Sequence, residues 1–247
     1  MVKWYVVQSL PLLWGSMRII EFEQIDSTNE YIKRNIGELN HFTVVQSQYQ
    51  SKGKGRNGHV WHSIKGDNIL LSFLIKDNIQ PNMIHHFTQI AALSVIQLLQ
   101  EYQVSALIKW PNDIFVNDQK IAGILVEAVF QDTIQGVVIG IGLNVNTNAY
   151  QSMASYLNRE LNLTNVRDNL ILKFSKVYEQ YNKEGYQNIL ATVNTLSYLK
   201  DKPITYAPYG KVLFKELLEN GMIVIEDQND KQSLSLLQVN EISLSQD

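Results

Sequence analysis

The segment KGKGRNG at residues 52–58 places three cations and three glycines in seven consecutive positions of a chain whose net charge is −3. Glycine lets backbone N–H groups approach an oxygen atom closely, while Lys and Arg neutralise negative charge. Extended backbone would direct Lys52, Lys54 and Arg56 to one side. The segment therefore predicts a loop that binds a phosphate or a carboxylate, with a mobile solvated loop as the alternative. Its spacing fits neither a Walker loop nor a Rossmann loop.

A second segment, KWPNDIFVNDQKIAGILVE, brings a carboxylate and an ammonium group near each other. Asp113 is expected to begin a strand after the turn that contains Trp and Pro, and Lys120 begins the next strand. Antiparallel pairing across the turn at 117–119 then places Asp113 beside Lys120. The two side chains either flank a ligand, for which Gly123 leaves room, or form an exposed cross-strand salt bridge.

Hydroxyl and amide side chains occur at two further places where a predicted strand ends. Ser27, Thr28 and Asn29 follow one strand and begin a helix, whereas Asn144 and Asn146 end the strand GVVIGIGLNVN. These groups could hydrogen-bond a neutral ring or the edge of a base. The alternative is that they cap the helix and the turn that follow.

Composition excludes several kinds of site. The chain has no cysteine, so disulfides, thiolate nucleophiles and cysteine zinc sites are excluded, and a reducing cytoplasm is the expected location. The five histidines show no ligand spacing with a third partner, so the protein itself is expected to build no metal site. A sequence pI near 6.0 argues against the large basic surface that binding to nucleic acid requires.

The residues with chemical potential lie at the ends of predicted strands. Alternating or continuous apolar runs predict strands at 18–25, 42–48 and 69–75, followed by four consecutive antiparallel strands between 106 and 146. Helical spacing predicts three helices: after residues 26–28, from Pro81 onward, and through 170–181. The sequence therefore predicts an α+β domain whose mixed, largely antiparallel sheet packs against helices.

Three segments are predicted along the 247 residues: an extension at 1–17, a main domain at 18–199 and a small all-β domain at 200–247. The last contains an Asn-Gly turn at 220–221 between alternating runs, which is typical of a hairpin. The apolar start lacks the cationic cluster and cleavage site of a signal peptide. No stretch reaches the roughly 20 apolar residues of a membrane span, so a soluble protein is expected.

Taken in order, these motifs resemble the catalytic domain of biotin–protein ligases. They are STN at 27–29, YQ at 49–50 before a glycine loop that leads to Trp61, KWPND at 109–113, a lysine within KIAGILVE, and GIGLNVN. The resemblance extends over roughly residues 18 to 245. It implies a catalytic domain similar to class II aminoacyl-tRNA synthetases and lipoate ligases, and a C-terminal barrel similar to an SH3 domain.

The resemblance also implies roles for residues at the matching positions. Hydrogen bonds to the ureido ring of biotin would come from the polar residues Ser27, Thr28, Asn29 and Gln50. The loop that contains Gly53, Lys54, Gly55 and Arg56 would fold over the ligand, and Arg56 would hold the α-phosphate and the activated carboxyl group. Relatives commonly have Arg where this chain has Lys54 and Asn57. Lys54 keeps the charge but loses the two-pronged geometry of a guanidinium.

The remaining implied roles concern the carboxylate of biotin and the nucleotide. Lys120 would neutralise the carboxylate, with Gly123 leaving room for the ligand. Trp61 would stack near adenine, and Asn144 would contact the nucleotide. Two KWPND residues, Asn112 and Asp113, would lie by the phosphates and Mg²⁺; Asp113 is also the candidate general base.

The implied activity is an ATP-dependent biotin–protein ligase, which forms biotinyl-5'-AMP and transfers biotin to a lysine of a biotin carboxyl carrier protein. Two alternatives are a lipoate–protein ligase of the same fold and a non-catalytic protein that binds biotin or the carrier. Many relatives carry an N-terminal DNA-binding domain, but the motifs begin so early here that no DNA binding is expected. Whether the enzyme is a homodimer stays open.

Overall fold

A computed structural model describes residues 2–7, 17–206, 210–227, 233–236 and 243–244. Its main element is a sheet of eight strands in the order β1-β2-β3-β4-β8-β7-β6-β5. The strands are β1 (Val2–Val7), β2 (Met17–Phe22), β3 (Val44–Ser47), β4 (Asn68–Ile75), β5 (Leu107–Lys109), β6 (Asp113–Val116), β7 (Gln119–Phe130) and β8 (Ile134–Asn144). Only β2 and β3 pair in parallel among these described strands, so the predicted mixed, largely antiparallel sheet is confirmed.

Five α-helices accompany the described strands: α1 (Thr28–Arg34), α2 (Ile84–Glu101), α3 (Met153–Leu157), α4 (Leu163–Glu184) and α5 (Gln187–Thr195). The predicted helix at Pro81 begins as a 3-10 turn at Pro81–Met83 and continues as α2. Helices α3 and α5 were not predicted. None of the helices in the described part of the chain is both long enough and apolar enough to span a bilayer.

The sheet is covered on both faces, because alternate residues of a strand point to opposite sides. Ile19, Val44 and Phe73 pack with α2 and α4 in the larger core. Their neighbours Ile20, Val45 and Leu74 form a smaller core beneath α1, together with Ile32 and Val138. Every residue of β4 is buried, as its apolar run NILLSFLI predicts for a central strand.

The face that carries α1 changes character along β7 and β8. On β8 the residues that face α1 are Val138, Gly140 and Gly142, because the intervening Ile139 and Ile141 belong to the larger core. Gly142 pairs with Gly123 of β7. The sheet therefore has no side chains at these glycines, beside α1. This part of the sheet forms the floor of a cavity.

Strand β1 adds an outer strand to the sheet by antiparallel pairing of Val2–Val7 with Met17–Phe22. The assignment of residues 1–17 to a separate extension stays a prediction, and residues 8–16 lie outside the described part of the chain.

The C-terminal segment forms a second antiparallel sheet, in the order β12-β11-β10-β9-β13. Its strands are β9 (Pro203–Tyr206), β10 (Gly210–Leu217), β11 (Ile223–Asp227), β12 (Ser233–Leu236) and β13 (Ser243–Leu244). The predicted turn at Asn220 and Gly221 joins β10 to β11, which confirms the hairpin. Closure of these strands into a barrel similar to an SH3 domain, and the exact domain boundary near residue 200, stay predictions.

The small sheet packs against the main domain through the β10–β11 turn. The His85 ring at the start of α2 lies 2.8 Å from the Glu219 carbonyl oxygen through Nε2. His86 stacks on Tyr186, and burial, with the neighbouring His85, lowers the pKa of His86 to about 4. The His86 ring is therefore neutral at neutral pH, and its Nε2 lies 3.3 Å from the Glu219 carbonyl oxygen of this turn. These contacts join the β10–β11 turn to helix α2 of the main domain.

We expect Gly221→Ala to destabilise this junction. Gly221 has a φ of +81°, which L side chains rarely adopt, and an added Cβ would lie 3.0 Å from the His85 ring. The left-handed conformation alone costs about 1–2 kcal/mol in a non-glycine residue. A thermal melt should show a larger loss for Gly221→Ala than for Gly210→Ala, because Gly210 has a φ of +76° but open space around its Cβ position. Equal losses would contradict a packed junction.

Candidate active site

A cavity of about 550 Å³ lies on the α1 face of the sheet, above the glycines of β7 and β8. This volume is within the roughly 300–1,000 Å³ typical of small-molecule sites. Most of the residues predicted for a site line it: Ser27, Thr28, Asn29, Gln50, Lys54, Gly55, Arg56, Trp61, Asn112, Asp113, Lys120 and Gly123. The structure thus brings together residues separated by nearly a hundred positions in the sequence.

One end of the cavity, which we call the polar end, is built where β2 leads into α1. Ser27 is the N-cap of α1, and its side chain accepts from the Glu30 N–H. Thr28 donates to Gln50 Oε1 twice, from its backbone N at 2.7 Å and from its Oγ1 at 3.0 Å. Because these bonds use the oxygen of Gln50, its amide N–H groups remain available to the cavity.

Asn29 completes the polar end, but its own amide is held by the protein. Its Nδ2 donates to Glu127 Oε2 at 2.8 Å, and its Oδ1 accepts from Ser72 Oγ at 2.6 Å. A Cβ on Gly140 would lie 2.4 Å from Asn29 Oδ1, so only glycine allows this approach. Sequence reasoning missed Ser72 and Glu127. A hydroxyl within the apolar run ILLSFLI was the available signal for Ser72.

The opposite end, which we call the cationic end, contains the predicted ion pair. Lys120 Nζ lies 2.7 Å from Asp113 Oδ1, with side chains 40% and 26% exposed. Lys120 pairs with Phe115, and a bulge between Ile114 and Phe115 shifts the register by one residue, so Asp113 pairs with Gly123 instead of Ala122. The Lys120 chain reaches Asp113 across Gly123, where a Cβ would lie 3.2 Å from Nζ. Both side chains are partly exposed, but Asp113 Oδ1, the oxygen that faces Lys120, is buried.

Arg56 contributes a second cation at this end of the cavity. Its Nη1 donates to Asn112 Oδ1 at 3.4 Å, and Asn112 Nδ2 donates to the Ile124 carbonyl at 2.8 Å. Burial lowers the pKa of Arg56 from its ordinary value, although Asp113 acts in the opposite direction. A guanidinium stays charged at neutral pH, so Arg56 presents a partly desolvated positive charge.

Trp61 forms a wall of the cavity because two glycines make room for its ring. A Cβ would lie 2.5 Å from the ring at Gly142 and 2.9 Å from it at Gly123. Lys120 Nζ lies 5.5 Å from the ring centroid, close enough for a cation–π contact. The indole N–H of Trp61 is buried and has no hydrogen-bond partner in the described structure. It therefore offers a donor to a ligand.

The glycine loop folds back on itself beside Trp61. Trp61 N donates to the Gly53 carbonyl at 3.0 Å, and Gly55 N donates to the His59 carbonyl at 2.7 Å. Gly53 does not line the cavity, but a Cβ there would lie 2.4 Å from the Trp61 carbonyl oxygen. Its contribution in the structure is to let the two sides of the loop approach each other.

The expectation that three cations project to one side of this loop is wrong. Lys54 and Arg56 line the cavity, whereas Lys52 does not. Residues 56–58 form a 3-10 turn instead of continuing as extended backbone, and Lys54 Nζ lies 2.6 Å from Glu30 Oε1. The turn breaks the alternation on which the expectation depended.

Asn144 lies outside the cavity lining. It is buried and uses its amide within the protein: Oδ1 accepts from Asn68 Nδ2 at 2.9 Å, and Nδ2 donates to the Gln151 carbonyl at 3.1 Å. Asn146 likewise binds the backbone of Leu161 in both directions. Both asparagines therefore hold the loops that follow β8, and a nucleotide contact by Asn144 stays a prediction.

Several lining residues were missed by sequence reasoning. Lys109 and Trp110 belong to KWPND and could have been included with it, because the Trp110–Pro111 turn lies directly between β5 and β6. Thr205 comes from β9 of the C-terminal sheet, and no sequence signal indicates that this strand reaches the cavity. The small domain thus contributes directly to the site.

The cavity lining offers few oxygen ligands for Mg²⁺. Asp113 is the single carboxylate among the lining residues, and Asn112 offers an amide oxygen next to it. The described residues contain no group of three or more His, Cys, Asp or Glu side chains arranged to hold an ion. Mg²⁺ commonly binds through one or two carboxylates together with substrate phosphates. The residues therefore fit a Mg²⁺ that arrives with a nucleotide.

Comparisons with known proteins agree with this geometry. Residues 21–144 match the model of the Biotin/lipoate A/B protein ligase family. The bifunctional ligase/repressor BirA of Bacillus subtilis (strain 168) is 31% identical over 159 residues, which are 60% of this chain and 49% of that protein. BirA of Escherichia coli (strain K12) is 34% identical over 134 residues, 53% of this chain and 41% of that protein. The chain spans about half the length of these curated relatives.

The fold has a counterpart among solved structures. A biotin protein ligase from Aquifex aeolicus, in complex with biotin and ATP, has a TM-score of 0.77 and 23% sequence identity. The match extends over 93% of this chain and 99% of that chain, so the chain has the biotin protein ligase fold. The segment that matches the family model is just over half of the chain and contains the glycine loop, KWPND and Lys120. The chain belongs to the biotin/lipoate A/B protein ligase family.

Proposed function

We propose that the protein is an ATP-dependent biotin–protein ligase, which makes biotinyl-5'-AMP and transfers biotin to a lysine of a biotin carboxyl carrier protein. The observation that carries this proposal is one cavity that joins a neutral hydrogen-bonding end to a cationic end. A ligand that suits it has a polar, uncharged head and an anionic tail. Biotin, with a ureido ring and a carboxylate, has this form. Relatives of this chain are named biotin–protein ligases.

The ureido ring would bind at the polar end. Its carbonyl oxygen needs donors, which the Ser27 hydroxyl and the free amide N–H groups of Gln50 can supply. Asn29 is held by Ser72 and Glu127, so it would shape the pocket and fix the position of the ring. A lipoyl dithiolane ring has no N–H or carbonyl group. It would leave these buried polar groups without partners, which is costly.

Activation would take place at the cationic end. A carboxylate oxygen of biotin attacks the α-phosphorus of ATP, the bond to the bridging oxygen breaks, and pyrophosphate leaves. Both reactants are anionic, so the ammonium of Lys120 and the guanidinium of Arg56 would offset their repulsion and stabilise the charge that moves in the transition state. Bound Mg²⁺ would neutralise the phosphates, with Asp113 and Asn112 the nearest ligands that the chain offers.

Transfer would follow in the same cavity. The lysine amine of the carrier attacks the acyl carbon of the mixed anhydride, AMP leaves, and the amine loses a proton. Asp113 is the single carboxylate among the lining residues and lies 2.7 Å from Lys120, which supports it as our candidate for the general base. The loop at 52–58 would keep water from the anhydride.

The location is proposed on composition. The chain has no cysteine, which suits a reducing compartment, and carboxylase carriers that need biotin would be met in the cytoplasm.

The proposal is tested by incubating the protein with labelled biotin, ATP, Mg²⁺ and a biotin carboxyl carrier domain, with lipoate in parallel. We expect label on the carrier and release of pyrophosphate that depends on biotin. Modification of the carrier by lipoate but not by biotin would identify a lipoate ligase. Binding of biotin without pyrophosphate release would identify a non-catalytic binder.

We expect Arg56→Ala to weaken retention of biotinyl-5'-AMP much more than binding of free biotin. The guanidinium lies at the cationic end, where the α-phosphate and the activated carboxyl would be held, and charge-assisted hydrogen bonds contribute roughly 1.5–3 kcal/mol each. Adenylate release should therefore accelerate about tenfold to a hundredfold, while the biotin Kd changes little. Arg159→Ala, an exposed arginine outside the cavity, is the control. Equal losses in both measurements would assign Arg56 to folding or uniform binding.

A further inference from the structure

A chain of ion pairs connects the glycine loop to the polar end of the cavity. Lys54 of the loop and Lys33 of α1 both lie 2.6 Å from Glu30 Oε1. Lys33 Nζ also lies 2.7 Å from Glu127 Oε1, and Glu127 Oε2 accepts from Asn29 Nδ2 at 2.8 Å. Five side chains from α1, β7 and the loop are thus joined in one path that ends at Asn29.

Lys54 lies at the centre of the backbone pairing that folds the glycine loop back on itself. It forms an antiparallel bridge with Val60, and the bonds from Trp61 to Gly53 and from Gly55 to His59 lie on either side of that bridge. Lys54 is therefore joined by the backbone to the segment that carries Arg56 and Trp61. On the other side of the ion pair, Glu30 belongs to α1, whose first turn carries the polar end.

Glu30 remains ionised in this environment. Burial by itself raises the pKa of Glu30, but hydrogen bonds from Lys33 and Lys54 outweigh that effect and hold the pKa below its ordinary value. The side chains of Glu30 and Lys33 are 23% and 24% exposed, whereas Lys54 is 50% exposed. The carboxylate is thus the fixed partner, and the lysine of the loop is the partner that can leave.

We propose that Glu30 is a positioning residue that fastens the glycine loop over the cavity by holding Lys54, and that the path through Lys33 and Glu127 to Asn29 couples this closure to occupancy of the polar end. The inference rests on the proposed function for the identity of the ligand. It assigns Lys54 a role through the loop, because its ammonium pairs with Glu30. A ligand that packs against Asn29 would strengthen the path, and a closed loop would slow ligand release.

The pair can be tested by a double-mutant cycle with Glu30→Gln, Lys54→Gln and the double variant. Amide exchange of residues 53–61 measures loop opening directly, and biotin Kd, biotin KM and kcat are measured beside it. Partly exposed ion pairs typically contribute enough for an effect of roughly twofold to fivefold. We expect each single variant to open the loop and to raise the biotin Kd and KM by that factor with kcat less affected. The double variant should add nothing further.

Three controls separate loop positioning from a general effect on α1. Lys54→Arg keeps the charge and should restore protection of the loop. Lys65→Gln removes an ion pair of equal length, to Glu23, outside the cavity and should leave the loop unchanged. Added salt should reduce loop protection in the parent chain but not in Glu30→Gln, because the pair is partly exposed and screened.

The result that overturns the inference is additivity of the two single variants, or unchanged amide exchange of the loop in a variant that melts like the parent. Exchange in the absence of ligand does not depend on catalysis. If the parent chain lacks biotin-dependent pyrophosphate release, the proposed function fails, whereas the coupling between Glu30 and Lys54 is still measured.

Discussion

Lys120→Ala is expected to reduce formation of biotinyl-5'-AMP about a hundredfold to a thousandfold while the chain folds normally. A carboxylate and an α-phosphate repel each other, and a cation between them offsets this repulsion. Lys120 lies at the cationic end of the cavity, 2.7 Å from Asp113. Loss of one such preorganised electrostatic contact costs on the order of 3–4 kcal/mol in the transition state. Its side chain is 40% exposed, so little packing is lost.

The variant Lys120→Arg makes this prediction more specific. The Lys120 chain crosses Gly123, where a Cβ would lie 3.1 Å from Cε, and its Nζ is near the Trp61 ring. A guanidinium is broader and planar, and it should not fit between Trp61 and the strand. Lys120→Arg should therefore keep the charge but recover little activity.

The measurement is pyrophosphate release at saturating biotin and ATP, run beside a thermal melt. Lys65→Ala is the matched control, since Lys65 also pairs with a carboxylate at 2.6 Å but lies outside the cavity. Near-parent activity in a folded Lys120→Ala protein would mean that Lys120 is only a surface strand residue.

Local patterns predicted the parts of the fold and site that depend on local geometry. The four consecutive strands from Leu107 to Asn144 follow from tight turns and apolar alternation, and the structure has them in order. The nearness of Asp113 and Lys120 follows from hairpin geometry. The bulge after Ile114 could not be predicted, and it makes Gly123 instead of Ala122 the partner of Asp113, so that Lys120 reaches Asp113 across a glycine.

Contacts between distant segments could not be predicted in the same way. Glu30 and Lys54 meet because α1 packs beside the loop, and no periodicity in either segment specifies that distance. Asn144 was predicted either to contact a nucleotide or to cap the following turn, and its amide bonds with Asn68 of the neighbouring strand. No local signal indicates this partner, because it depends on the packing of β4 against β8, and the nucleotide contact stays a prediction.

Three glycines of the sheet mark the position of the cavity in the sequence. Gly123, Gly140 and Gly142 interrupt strands that are otherwise rich in Ile, Leu and Val, and glycine in a strand often marks a close approach by another group. In the structure the approaching groups are Asn29 at Gly140 and the Trp61 ring at the other two positions. The absence of three side chains therefore fixes where two residues of the cavity lining, Asn29 and Trp61, lie.

Gly142→Ala should consequently reproduce the loss caused by Trp61→Ala, although Gly142 presents no functional group. The added Cβ would lie 2.5 Å from Trp61 Cε2, a distance at which the ring must move away from the floor of the cavity. If Trp61 stacks near adenine as proposed, its displacement removes a contact of roughly 1–3 kcal/mol, and kcat/KM for ATP should fall about tenfold to a hundredfold.

Gly37→Ala is the control, because a Cβ there meets nothing within 4 Å. The two single variants and their combination form a cycle in which the second change should add little, since residues that act through one contact are not additive. Full additivity, or a folded Gly142→Ala protein with the parent kcat/KM for ATP, would show that the ring position does not determine nucleotide binding.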